Sequence, residues 1–200
     1  MEISETLIDL IRALHLLCFA AGMGTGLYFD LRTMRTIDQR VTLDEIQMLH
    51  DIHVWIMAAF AGLWVTGLAL VYIRTGFDWA NVSPKLFVKL YVMTFMLINA
   101  RAIGRYVMPV MQEAEGLALF ELPMWKLAPV TQIAVNSVFC WTAGLALGSS
   151  VVLKTAEWSL LQPLLIGGFM MFTIGGHFVV WGLRQRWIRA RDPFRRLEQA

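Results

Sequence analysis

LHLLCFAAGMGTGLYFDLR, residues 14–32, decides how the chain is read. The stretch is apolar enough to lie in a lipid bilayer, yet it holds His15 near one end and Asp30 near the other. On a helix, residues three or four apart share a face. His15, Cys18, Gly22, Gly26 and Asp30 then form one stripe. An ionisable side chain inside a span is costly and normally turns towards protein. Glycines on the same face leave room for something to lie close to the backbone, either another helix or a flat cofactor.

The remainder of the chain is of the same kind. Of its 200 residues 58% are hydrophobic and only 16% charged, which excludes an ordinary soluble domain. Its apolar runs approach the roughly 20 residues that cross a bilayer. Spans are predicted at 7–31, 54–73, 86–107, 130–153 and 161–183. They make an all-α, polytopic bundle of about five transmembrane helices, a single domain over residues 1–200 with short loops. Pro84, Pro109, Pro129 and Pro163 fall at or near the predicted ends, the fourth span starting just after Pro129. Residues 111–126, with Glu113, Glu115 and Glu121 among Leu and Phe, predict a short helix lying on the membrane surface and ended by Pro123. The opening Met1-Glu2-Ile3-Ser4-Glu5 is acidic where a secretory signal is basic, so the first span is expected to stay. Cys18 and Cys140 lie inside spans and read as buried small hydrophobes, not as a disulfide framework.

Lys and Arg set the orientation. Twelve of them fall on the side of the first loop, the third loop and the C-terminus, and 5 on the other. The positive-inside rule then places the N-terminus outside and the C-terminus in the cytoplasm of a bacterial inner membrane. Trp79 and Trp158 belong to the outer interface on this reading, Trp125 and Trp187 to the inner one. The basic tail WGLRQRWIRARDPFRR, residues 181–196, anchors the last span, with an anionic-lipid or partner contact as the lesser reading. Nothing supports nucleic-acid binding.

A rise of about 1.5 Å per residue converts position into depth. His15 lies roughly 6 Å to the outer side of the midplane and Lys89 roughly 11 Å to the same side. His177 lies roughly 8 Å to the inner side, with Asn136 at a similar depth. Asp30, Arg101, Arg105 and His53 occupy that inner half or its edge. Two polar layers are thus predicted. Each member also has a structural reading. His15 can hydrogen-bond a neighbour, and Lys89 can snorkel outward. Arg101 and Arg105 can pair with Asp30. His50 and His53 can sit hydrated at the interface. His177 can pack beside Gly175 and Gly176.

Neutral imidazole ligates both haem iron and copper. Haem needs one or two axial ligands, a flat apolar slot, and cations for its propionates. His15 over Gly22, or His177 beside Gly175 and Gly176 with help from His53, offers ligand and slot. Lys85, Lys89, Arg12 or Arg101 offers the cation. Copper(I) prefers soft donors, here His15 with Cys18, Met93 with Met96, or Met108 with Met111, although methionine more often fills cores. The nucleotide loop GxxxxGKS, the hydrolase elbow GxSxG and the zinc motif HExxH do not occur. A third class needs no chemistry. Gly22 and Gly26 form a small-xxx-small face on which an accessory subunit packs against a larger complex.

The first span, His15 followed by small and glycine-rich residues and an exit through Asp30-Leu31-Arg32, has a companion in SPKLFVKLYVMTFMLINARAIGRYVMP, residues 83–109. That second stretch places Lys89 in the first turn of its span and Asn99 two residues before Arg101. Together they resemble the CopD-like and HemJ-like group of small bacterial membrane proteins, over about the first half of the chain. Members of that group handle copper, or bind haem b and oxidise protoporphyrinogen. The resemblance implies that His15 is the family's first-span histidine and Lys89 its third-span lysine. It departs at Ala20-Ala21-Gly22-Met23-Gly24, where the family usually carries a Trp-Gly-Gly-like stretch. The expectation is an inner-membrane, haem b-binding protein of electron transfer or haem-linked oxidation. Its cofactor residues are His15, Lys89, His177, His53 and Arg101, with His15 and His177 as metal ligands. Copper binding or transport and a non-catalytic accessory subunit are the alternatives. The expected partners are the lipid bilayer and other membrane subunits or a redox protein, not nucleic acid.

Overall fold

A computed structural model describes residues 5–191, apart from the side chains of Trp79 and Lys154. The acidic opening up to Ser4, the end of the basic tail with Arg195 and Arg196, and the interfacial place of the Trp79 ring lie outside the described residues. Five helices are long and apolar enough to cross a membrane: α1 (Glu5–Thr36), α2 (Leu43–Thr75), α3 (Pro84–Glu113), α4 (Met124–Ser149) and α5 (Trp158–Arg191). They form an all-α bundle consistent with a multi-pass membrane protein.

Local chemistry sets the boundaries. Thr42 caps α2 in a reciprocal box with Glu45, each side chain bonding the other's backbone N–H. Gly76 ends α2 with φ +61°, a left-handed conformation that glycine adopts without a Cβ clash. Pro84 opens α3 at its first position, where a missing N–H costs nothing. Pro109, Pro129 and Pro163, expected at or near span ends, fall inside helices. α3 runs through Pro109 by way of a wide π turn, Ile103–Val107, directly before it. α4 starts at Met124, before Pro129, and stops at Ser149. Pro129 has no N–H for the carbonyl of Trp125, and the Tyr106 hydroxyl donates to that carbonyl at 3.5 Å. Pro163 likewise lies inside α5.

The predicted surface helix over 111–126 does not form. α3 continues to Glu113, and residues 114–123 fold inward as a loop with one 3-10 turn, Leu119–Glu121. Leu119, Phe120 and Leu122 are buried in a core with Ile37, Val41, Leu49 and Leu127. Arg184 donates to the carbonyls of Phe120 and Leu122 at 3.1 and 3.2 Å, so the turn's backbone is satisfied without a helix. Pro123 precedes α4 and does not end a helix. Arg191 closes this end of the bundle, paired with Glu121 at 2.6 Å and stacked over the Trp187 ring.

α1 and α2 pack along their length as a hairpin, and α4 packs between α3 and α5. The two groups meet where α1 crosses α4 and where α2 reaches the far end of α3. In lipid, apolar burial alone does not hold helices together, because lipid tails are as apolar as leucine; close fit does. That fit is close against glycines of α1, α2 and α5.

Candidate functional site

Gly22 and Gly26 are buried, and the object lying on them is neither another helix backbone nor a cofactor. It is the indole of Trp141 from α4, itself only 1% exposed. A Cβ added at Gly22 would fall 2.5 Å from the far edge of that ring, and one at Gly26 3.4 Å from its Nε1. Phe19 meets the same ring edge-on at 5.5 Å. The indole N–H finds no acceptor among the described residues, which costs about 1–3 kcal/mol. The ring is thus held there by its shape. Gly176 serves α5 in the same way, with Val135 of α4 occupying the place of its missing side chain. The Gly22 slot expected to receive haem is thus filled by Trp141 and the Gly176 side of the other by Val135, while nothing lies within 4 Å of the missing Cβ of Gly175.

His15 lies on the α1 stripe where α1 meets α2. Its Nδ1 is 2.8 Å from the Thr66 hydroxyl, and its Cε1 edge lies over Gly67, where a Cβ would stand 3.3 Å away. Thr66 donates its single proton to the Gly62 carbonyl at 2.6 Å. The hydroxyl can therefore only accept from His15, which makes Nδ1 the protonated nitrogen and leaves the lone pair on Nε2. Lys89 comes close enough from α3 for its charge to act on the imidazole. His15 and Lys89, placed in one layer by depth, do share a neighbourhood. Cys18, one turn along α1, turns its sulfur to Gly62, where a Cβ would stand 2.6 Å away.

His177 belongs to a separate network across α3, α4 and α5. Its direction follows from one end. A backbone carbonyl only accepts, so Asn99 presents its NH2 to the Ile133 oxygen at 3.0 Å and its own oxygen to Asn136 Nδ2 at 3.1 Å. Asn136 then accepts from Gln132 Nε2 at 2.7 Å, and Gln132 Oε1 accepts from His177 Nε2 at 3.0 Å. Thr173 takes the second amide proton of Gln132 at 3.3 Å. His177 is accordingly protonated on Nε2, with its lone pair on Nδ1. Asn99 is 4% exposed, and each amide in the array is used on both its oxygen and its nitrogen. Replacing Gln132 with Leu strands the His177 N–H and the Asn136 oxygen together. We expect it to lower stability by about 1–3 kcal/mol, read as an earlier unfolding transition in detergent.

The remaining candidates are dispersed. His53 is half-buried beside Gly104 of the π turn, its Nε2 3.8 Å from where a Cβ would be. Among the described residues no hydrogen bond joins it to His177. His50 is exposed, as hydration requires. Arg101 and Arg105 are exposed, and Asp30 has no ion-pair partner among the described residues, so the expected Asp30–arginine pair does not form. Met96 and Met111 are buried in the two cores as packing. Among the described residues no three His, Cys, Asp or Glu side chains group as a metal site. Sequence reasoning missed Thr66, Gln132 and Thr173. The signal was present for two of them: Gln132 with Asn136, and Thr173 with His177, are i, i+4 pairs on apolar helices.

At one place the donor chemistry is of the kind haem iron uses, although His15 lines neither of the two clefts described among these residues. His15 offers an imidazole nitrogen of defined tautomer, and Lys89 offers a cation for a carboxylate. The slots on Gly22, Gly26 and Gly176 do not accept the ring. A search for similar proteins finds no matching family model, curated protein or solved structure.

Proposed function

We propose that this chain is a multi-pass inner-membrane protein that binds haem b and takes part in electron transfer or a haem-linked oxidation. The observation that carries the reading is the hydrogen bond from His15 Nδ1 to Thr66, whose own proton is committed to Gly62. Metal-bound histidines nearly always donate their other N–H to a neighbour, which orients the ring and raises its basicity. His15 would hold the iron through Nε2, and Lys89 would meet a propionate. When bound, the haem supplies one-electron chemistry. Thr66 holds the proton on Nδ1 and prevents the ring from turning, and Gly67 clears the space in which the ring edge lies. His177 is the candidate for an inner ligand, with the amide array holding its Nε2 proton. His53 and Arg101 stay secondary. The charge bias of the loops supports an N-terminus facing outward and a C-terminus in the cytoplasm.

The test is an absorption spectrum of the detergent-purified protein, oxidised and dithionite-reduced, with pyridine extraction to count the haem. A Soret band with sharp reduced bands and one haem per chain is the expected result. A colourless protein made with ample haem supply rejects it.

Copper is the second reading, favoured by His15 and Cys18 both turning to the same face of α2. It predicts metal in the purified protein that Cys18→Ser removes. An accessory role would not use the Gly22–Gly26 face, because Trp141 covers it.

A further inference from the structure

An apolar cleft of about 280 Å³ opens between α3, α4 and α5 near the end of the bundle where α3 begins. Val88, Phe139, Ala146, Leu153, Leu161 and Phe172 line it. Leu164, also on its wall, is 54% exposed, so the cleft faces the surroundings of the bundle and not its core. Thr142 is the one polar side chain in the lining, and its hydroxyl is turned back to the carbonyls of Val138 and Phe139 at 2.9 Å. No histidine reaches it. The wall therefore offers a ligand nothing but apolar contact. At about 30 Å³ per small group, the volume admits roughly nine methylenes in a row.

The rim is different. Lys85 stands at the mouth, its ammonium donating to the Ser150 carbonyl at 2.9 Å between the lining residues Leu147 and Leu153. The charges of Lys85 and of Arg74, at the end of α2, both act on Lys89. Neither Arg74 nor Lys89 has an ion-pair partner among the described residues. A cationic rim above an apolar cleft complements a molecule with an anionic head and a hydrocarbon tail.

We propose that this cleft holds one acyl chain of an anionic phospholipid whose phosphate lies against Lys85. The site is separate from His15 and does not depend on a bound haem. Lys85 selects the head, and the cleft holds the chain whatever the head is. A lysine or arginine near an anionic lipid surface favours it by roughly fivefold in affinity.

The experiment is native mass spectrometry of the delipidated full chain, titrated with phosphatidylglycerol and phosphatidylcholine of identical acyl chains. One retained phosphatidylglycerol per protein, with at least about a fivefold preference over phosphatidylcholine, is expected. Lys85→Gln should remove most of that preference while still binding both lipids weakly. Ala146→Phe, which fills the cleft from a position already exposed, should lower retention of both. Equal retention of the two lipids by the unaltered protein overturns the proposal, as does undiminished phosphatidylglycerol on Ala146→Phe. A neutral isoprenoid displacing phosphatidylglycerol from the same site also overturns it.

Discussion

On the proposed haem site, His15→Ala is expected to abolish the haem spectrum of the purified protein, and Thr66→Val to keep a weakened, shifted one. The first change deletes the only imidazole that the α1–α2 hairpin brings together with the Lys89 cation. The second is subtler and more informative. Valine has nearly the shape of threonine but accepts no hydrogen bond. The proton on Nδ1 loses its partner, the ring is freer to turn, and the imidazole becomes a poorer electron donor. Loss of such an outer partner typically costs about 10–100-fold in metal affinity. A less electron-rich ligand stabilises the oxidised iron less, so the midpoint potential rises; a tenfold change in one-electron equilibrium corresponds to about 59 mV. Redox titration of the two variants is the measurement. Spectrum and potential unchanged in Thr66→Val, with haem retained in His15→Ala, would remove His15 from the iron altogether.

The second large effect concerns the indole wedge. Gly22→Ala places a methyl group where the Trp141 ring already is, and that ring is clamped by Phe19 and by the α1 backbone. Overpacking of a closed core costs about 1–3 kcal/mol. Trp141→Ala empties the same space and costs about 3–5 kcal/mol. Gly24→Ala is the control. Nothing lies within 4 Å of its missing Cβ, so the change brings only the better helix propensity of alanine, up to about 1 kcal/mol. Unfolding in a denaturing detergent should find Gly24→Ala the most stable, Gly22→Ala less so and Trp141→Ala the least. Equal stability for Gly22→Ala and Gly24→Ala would mean that Trp141 is not held as described.

How far the fold could be read from the sequence depends on which forces act locally. Hydropathy reports the number of spans because each long apolar run must satisfy its own backbone in lipid. Helix ends were less legible. Pro129 looked like a start because a proline leaves a carbonyl unpaired, and only the fold brings the Tyr106 hydroxyl to that carbonyl from another helix. Glu113, Glu115 and Glu121 among apolar residues imitated a surface helix, yet Arg184, more than 60 residues on, takes the backbone carbonyls of that segment and draws Phe120 inward. The glycine stripe of α1 was correctly read as a close-approach face. Of its two expected occupants, another helix or a flat cofactor, it is another helix that lies there, through a tryptophan ring that leaves no trace in the first span. Depth arithmetic joined His15 to Lys89 and His177 to Asn136, the latter through Gln132. It failed for Asp30 and the arginines, because sharing a depth does not mean sharing a side of the bundle.

The wedge also gives the fold a timetable. Gly26 and Trp141 are 115 residues apart in the chain. At about 5–20 residues per second, the ribosome delivers the indole roughly 6–23 s after the glycine. For that interval the α1–α2 hairpin sits in the membrane with its small-residue stripe bare, the kind of surface on which helices of other proteins associate. The newly made protein is therefore most open to mispairing before its fourth helix arrives, and the finished protein closes that surface with its own tryptophan.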